Sequence, residues 1–166
     1  MQIIVLANDQ QKEELLNNAT DDEVRVTATN TVEPLTQYQN CDAIIDLLFD
    51  GSSERIKLLK TFSEKPVIIN SVILTLQRID VSFVRMNAWP GFMKRSIVEA
   101  STSNKNIVEQ VEEVFSKVGK KVQWVPDKPG FITARVIAMI INEAWFALGE
   151  GISTPKEIDA AMKLGT

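Results

Sequence analysis

The residues that could do chemistry in this 166-residue chain are limited first by two absences: it has no histidine, and no glycine before Gly51. The first removes the commonest acid–base group near neutral pH. The second leaves the N-terminal third without a glycine-rich loop to cradle a phosphate. Cys41 is the single cysteine; with no histidine to activate it, it is a poor thiolate nucleophile. It also cannot form an internal disulfide, which points to a reducing, cytoplasmic setting. No His/Cys cluster suggests a metal site. Lys94-Arg95 and Lys120-Lys121 read as solvated basic pairs, and Trp89, Trp124 and Trp145 as packing residues rather than ligand platforms.

The charge balance narrows the partners. The chain carries a net charge of −4, which gives no basic footprint for nucleic acid. Residues 1–50 hold two basic and ten acidic side chains, so the acidity is concentrated at the N-terminal end. No apolar run approaches the roughly 18–20 residues that span a bilayer, so a membrane-embedded protein is not expected.

The elements that must position any site follow from hydrophobic periodicity. Residues 1–7 read as a strand, capped by Asn8 or Asp9 into a helix over 10–18. Glu23–Thr27 alternates as a second strand, and Ala43–Phe49 is nearly continuous and apolar, as for a parallel strand buried on both faces. Ser52 or Ser53 caps a helix over 54–62, and Pro66–Asn70 is a further strand. Val81–Met86 and Ser96–Ala100 are weaker strands. An amphipathic helix over 104–118 and a last strand over Lys121–Val125 complete an α/β pattern with a mainly parallel sheet. After Pro126-Asp127-Lys128-Pro129-Gly130 the texture changes to a helix over 131–148, apolar around most of its circumference. A short helix follows, with Thr154 as N-cap and Pro155 at its first position.

The most specific residues lie at the C-terminal end: Val125-Pro126-Asp127-Lys128-Pro129-Gly130-Phe131-Ile132, then Asn142-Glu143-Ala144, Glu150-Gly151 and Glu157-Ile158-Asp159-Ala160-Ala161-Met162-Lys163-Leu164-Gly165. Together they resemble the NAD-dependent 3-hydroxyacyl-CoA dehydrogenases. Asp42–Asp50 is similar to that family's strand with two acids, and Ser96-Ile97-Val98-Glu99 to its Leu-Val-Glu segment. The resemblance implies a reduced Rossmann-like, mainly parallel α/β domain over 1–126 followed by a C-terminal helical arm over 127–166. It implies NAD as cofactor, an acyl-CoA ligand, a place in fatty-acid metabolism, and a His–Glu pair that removes the hydroxyl proton.

Carried over one position at a time, the resemblance retains Glu99 as the glutamate of that pair and keeps Asp50 and Arg55 at cofactor-binding positions. Glu99 also reads as a polar strand-end residue, and Arg55 as a surface arginine. Other positions depart from the pattern. The histidine position falls on Met86, with a spacing to Glu99 one residue longer than the family's. Val72 stands at a serine and Ala134 at an asparagine. The phosphate turn is Ala7-Asn8-Asp9-Gln10-Gln11, and Ala28, Thr29 and Asn30 stand where an acid usually holds the ribose. The sequence therefore predicts a degenerate, shortened member with weak or absent dehydrogenase activity. The alternative is a non-catalytic acyl-CoA-binding or scaffold protein. A helix apolar on nearly every side needs cover all round, so a homodimer through that helix is expected.

Overall fold

The computed structural model describes residues 1–19, 25–31, 35 and 37–165, with the backbone alone at Arg25, Val26 and Ala28. Seven strands form one sheet: β1 (Gln2–Leu6), β2 (Arg25–Thr29), β3 (Ala43–Asp46), β4 (Val67–Asn70), β5 (Val84–Met86), β6 (Ile97–Thr102) and β7 (Lys121–Trp124). Their order is β2-β1-β3-β4-β5-β6-β7. All pairings are parallel except β5 with β6. The mainly parallel Rossmann-like sheet expected from the sequence is thus present, with one strand reversed. Of the second strand expected over 23–27, Glu23 and Val24 lie outside the described residues.

β1, β3 and β4 are buried on both faces over most of their length because helices cover both. Ile3 and Val5 of β1 point to one core, with Ala43 and Ile45 of β3. That core is closed by Leu15 of α1 (Asp9–Leu16) and by Val111, Val114 and Phe115 of α3 (Val108–Lys117). Ile4, Leu6 and Ile44 point the other way, onto Leu59 of α2 (Ser53–Lys60) and Phe62. This strict alternation is the period-two geometry of a strand. Gly119 ends α3 with φ +71°, and a Cβ there would run into the Asn18 backbone, so the turn into β7 needs glycine.

Two buried cations tie loops to this frame. Lys120, expected to be solvated, is instead buried. Its ammonium donates to Glu14 O at 3.1 Å, Asn17 Oδ1 at 2.7 Å and Met93 O at 2.5 Å. It thereby satisfies a carbonyl in the last turn of α1 that has no partner within the helix. Burial lowers its pKa, with Glu14 opposing the shift. Arg85 on β5 is 0% exposed. Its guanidinium donates to Leu74 O at 2.9 Å and Lys128 O at 2.6 Å, and its Nε lies 3.1 Å from Asp127 Oδ1. It also sits 4.3 Å over the Phe131 ring, a cation–π contact. Asp127 Oδ2 in turn accepts Leu76 N–H at 2.9 Å.

The chain divides into two compact units, 1–131 and 132–166. Arg85 explains why residues 127–131 belong to the first: they are bonded to a residue inside the sheet. The second unit comprises α4 (Thr133–Gly149) and α5 (Pro155–Leu164). Thr154 and Glu157 form a capping box at the start of α5. Within this unit, Val136, Met139, Ile141, Trp145 and Phe146 are exposed on α4. A groove of about 240 Å³ between α4 and α5 is lined by Ile141, Trp145, Leu148, Ile158 and Met162 among others. Among the described residues, no helix is long and apolar enough to cross a membrane.

Replacing Arg85 with leucine would leave the Asp127 carboxylate and two carbonyls without their partner. Breaking a buried ion pair from one side costs about 3–5 kcal/mol. Urea unfolding of R85L should show a loss of that order, and R85L/D127N a smaller one. Equal losses in both would contradict this role for Arg85.

Candidate functional site

In an open parallel sheet, ligands bind outside the carboxyl ends of the strands, where the strand order changes direction. Here that point lies between β1 and β3, because β1 has β2 on one side and β3 on the other. The turn after β1 is closed by a reciprocal cap. Asn8 Oδ1 accepts Gln11 N–H at 2.8 Å, and Gln11 Oε1 accepts Asn8 N–H at 3.1 Å. The same Gln11 carboxamide donates to Leu47 O, just past β3, at 3.1 Å. Asp9 occupies the first turn of α1, where a negative charge complements the helix dipole.

At the last position of β3, Asp46 is wholly buried and takes a two-point contact from Arg55: Nε to Oδ2 at 2.6 Å and Nη2 to Oδ1 at 2.9 Å. Burial pushes the Asp46 carboxyl up, and Arg55 opposes that rise. Arg55 is therefore neither a free surface arginine nor an open phosphate ligand. Its fork is filled by a carboxylate. Asp50 sits in the turn before α2, where Oδ1 accepts Ser52 N–H at 2.8 Å. The Ser52 N–H and hydroxyl hold the Asp50 carboxyl below its usual range.

A shallow cleft of about 240 Å³ lies at the ends of β3, β4 and β5. Asp50, Asn70, Ser71 and Val72 line it, and Phe49, Leu74 and Trp89 add apolar walls. Trp89 is half-exposed and meets Phe92 at a centroid distance of 5.8 Å. Asn70 bridges two strand ends, with Nδ2 3.3 Å from Leu47 O and Oδ1 accepting Ala88 N–H at 3.1 Å. Among the described residues, no basic one lines the cleft.

Glu99 lies half-buried in β6. Its Oε2 accepts Asn87 Nδ2–H at 3.0 Å, and its backbone oxygen accepts Asn87 N–H at 3.0 Å. Met86, the position matched to the family histidine, is sealed in the core instead. The residue facing Glu99 is Asn87, which the sequence reading did not select. The signal was the spacing: shortening the Met86–Glu99 interval by its one extra residue lands on Asn87. A carboxamide gives Glu99 a donor but, unlike imidazole, it does not take up a proton near neutral pH. Of the three retained positions, Asp50 lines the cleft, Arg55 is held on Asp46, and Glu99 is paired with Asn87. Cys41 is buried, and burial raises its thiol pKa.

The sheet order and the crevice at its carboxyl edge define the class: a Rossmann-like α/β fold. A solved 3-hydroxyacyl-CoA dehydrogenase from Archaeoglobus fulgidus superposes with a TM-score of 0.74 at 17% identity, covering 100% of this chain and 70% of that one. The (S)-3-hydroxybutyryl-CoA dehydrogenase of Ralstonia eutropha gives 0.71 at 17% identity, covering 99% and 77%. Residues 130–166 match the family described as 3-hydroxyacyl-CoA dehydrogenase, C-terminal domain. A 3-hydroxybutyryl-CoA dehydrogenase of Bradyrhizobium diazoefficiens is 26% identical over 147 residues, 80% of this chain and 50% of that protein. The 3-hydroxyadipyl-CoA dehydrogenase of Escherichia coli is 36% identical over 70 residues, 42% of this chain and 15% of that protein. The chain is thus similar to the 3-hydroxyacyl-CoA dehydrogenases, and spans about half the length of the 3-hydroxybutyryl-CoA dehydrogenases it matches.

The likeness to these dehydrogenases implies NAD, and the residues at the crevice do not fit it. A bound pyrophosphate uses the free N–H groups and open backbone of the β1–α1 turn. Here the Asn8 and Gln11 N–H groups are already bonded to each other's side chains, and Asp9 adds a negative charge. At the ends of β2, Thr29 turns its hydroxyl to Thr31, donating to its carbonyl at 3.1 Å.

Asp50 provides a pH test. Its folded pKa is depressed, so its stabilising contacts are fully present above the unfolded carboxylate value of ~3.9 and are lost as pH falls through the lower folded value. A carboxyl NMR titration should place its midpoint below ~3.9, and Ser52→Ala should move that midpoint upward. An Asp50 midpoint at or above the free-carboxylate value would contradict the geometry.

Proposed function

We propose that this chain is a dehydrogenase-family protein with weak or absent 3-hydroxyacyl-CoA dehydrogenase activity. The observation that carries the reading is the Asn87–Glu99 pair. Oxidation of a 3-hydroxyl group requires a base that removes its proton as hydride leaves, and a neutral imidazole oriented by a carboxylate does this near pH 7. Here the carboxylate orients an amide that stays neutral and takes no proton. Val72 adds to the deficit, since its isopropyl group stands where a hydroxyl would polarise the substrate. A substrate of fatty-acid metabolism and a cytoplasmic setting remain part of this reading, supported by the family and by the lone buried thiol of Cys41.

A second reading is favoured by the cleft and by the exposed face of α4: an acyl-CoA-binding or scaffold protein that pairs with a second copy of itself. The cleft offers apolar walls at Phe49, Leu74 and Trp89 beside the Asn70 and Ser71 side chains, a lining suited to an acyl thioester. On α4, Met139, Trp145 and Phe146 are each about two-thirds exposed. A patch of that kind marks an interaction surface.

Adding NADH and acetoacetyl-CoA to the purified protein should leave NADH absorbance unchanged, and under the second reading acetoacetyl-CoA alone should quench tryptophan fluorescence. Turnover that survives stringent purification would overturn the first reading. Light scattering should report twice the mass of one chain, and a stable, non-aggregating monomer would refute the dimer.

A further inference from the structure

The carboxyl edge of the sheet is crossed by a row of side-chain amides. Gln11 Nε2 and Asn70 Nδ2 converge on Leu47 O, at 3.1 and 3.3 Å. Asn70 Oδ1 accepts Ala88 N–H at 3.1 Å, and the adjacent Asn87 donates to Glu99 at 3.0 Å. Leu47 N–H itself donates to Leu6 O at 2.8 Å. The row therefore runs from the end of β1, past β3 and β4, to β5 and β6. In an open α/β sheet, a dinucleotide lies across this same edge.

We infer that this row, anchored by Gln11, takes the structural place of a dinucleotide and completes the edge without one. Two physical arguments support it. The first is occupancy of donors and acceptors. The N–H of Gln11 in the first turn of α1 is bonded to Asn8, and the crevice between β1 and β3 is bridged by the Gln11 carboxamide. A phosphate could use the Gln11 N–H only by displacing the Asn8 cap, and a group seated between β1 and β3 would displace the part-buried Gln11–Leu47 bond.

The second is charge. The turn from Ala7 to Gln11 contains Asp9 and no basic residue. The neighbouring hollow of about 310 Å³ is lined by Ala7, Asp9, Lys12, Thr29 and Asn30, so its one cation is opposed by one anion. A pyrophosphate would gain little net attraction there and would face Asp9 at close range. Carboxamides suit such a seam because they donate and accept at once and carry no charge.

The inference stands apart from the catalytic reading, since NADH binding without turnover would overturn this one and leave that one intact. The test is thermal unfolding of the wild-type protein and Gln11→Met, each alone and with NADH or ADP-ribose. Methionine matches glutamine in length and in helix propensity but makes neither bond. Without nucleotide, Q11M should melt about 2–4 °C lower, the size of a lost cap in a domain of this length. NADH and ADP-ribose should leave the wild-type midpoint unchanged. A saturable rise with either nucleotide, or an unaltered midpoint in Q11M, would overturn the inference. Should Q11M fail to fold, Asn8→Ala keeps the test open. It removes the other half of the cap and should lower the midpoint in the same direction, and an unchanged midpoint there would count against the row.

Discussion

The carbonyl of Leu47 is the point on which the carboxyl edge of the sheet depends. A parallel strand ends with backbone groups that its neighbours no longer pair, and in this fold those groups surround the crevice where ligands bind. Leu47 resolves the problem locally, with its N–H on Leu6 and its oxygen shared by Gln11 and Asn70. Everything nearby is arranged around that closure: the capped turn into α1, the Arg55–Asp46 pair filling the end of β3, and the cleft displaced toward β4 and β5. The chain keeps a Rossmann-like frame while its own side chains bridge the edge where a dinucleotide would lie.

Arg85 plays the corresponding part on the other side of the cleft. A fully buried guanidinium is tolerable only when it is compensated: Leu74 O and Lys128 O accept from it, and the Asp127 carboxylate offsets its charge. One residue on β5 thus holds both the 71–76 wall of the cleft and the 127–131 segment. The wall is further fixed by Ser71 Oγ donating to Leu74 O at 3.0 Å and by Gly130 N–H donating to Val72 O at 2.7 Å. A cleft built this way is preformed, which lowers the ordering cost for any ligand it accepts.

Much of the frame was legible in the sequence. β3 reads as a buried parallel strand because Ala43, Ile44 and Ile45 must be apolar on both faces, and the caps at Asn8, Ser52 and Thr154 announce their helices. β5 was faint because its central residue is Arg85, whose burial depends on partners 11 to 43 positions away. For the same reason the pairing of Asn87 with Glu99 was missed. Met86 and Asn87 are neighbours in sequence, but successive strand residues face opposite ways, and only the pairing of β5 with β6 decides which one meets Glu99. The amide row was invisible for a similar reason, since Gln11 and Leu47 are 36 residues apart. Lys120 looked like half of a solvated basic pair until the fold brought α1 over it.

The central claim is that the dinucleotide crevice is closed from within. It is tested most directly by following the Gln11 side-chain amide and the Leu47 backbone amide by NMR as NADH is added. The account predicts that neither resonance moves at any NADH concentration. Saturable shifts of both, with the Gln11 amide protons losing the signature of their bond to Leu47, would show that a nucleotide displaces the row and would contradict it.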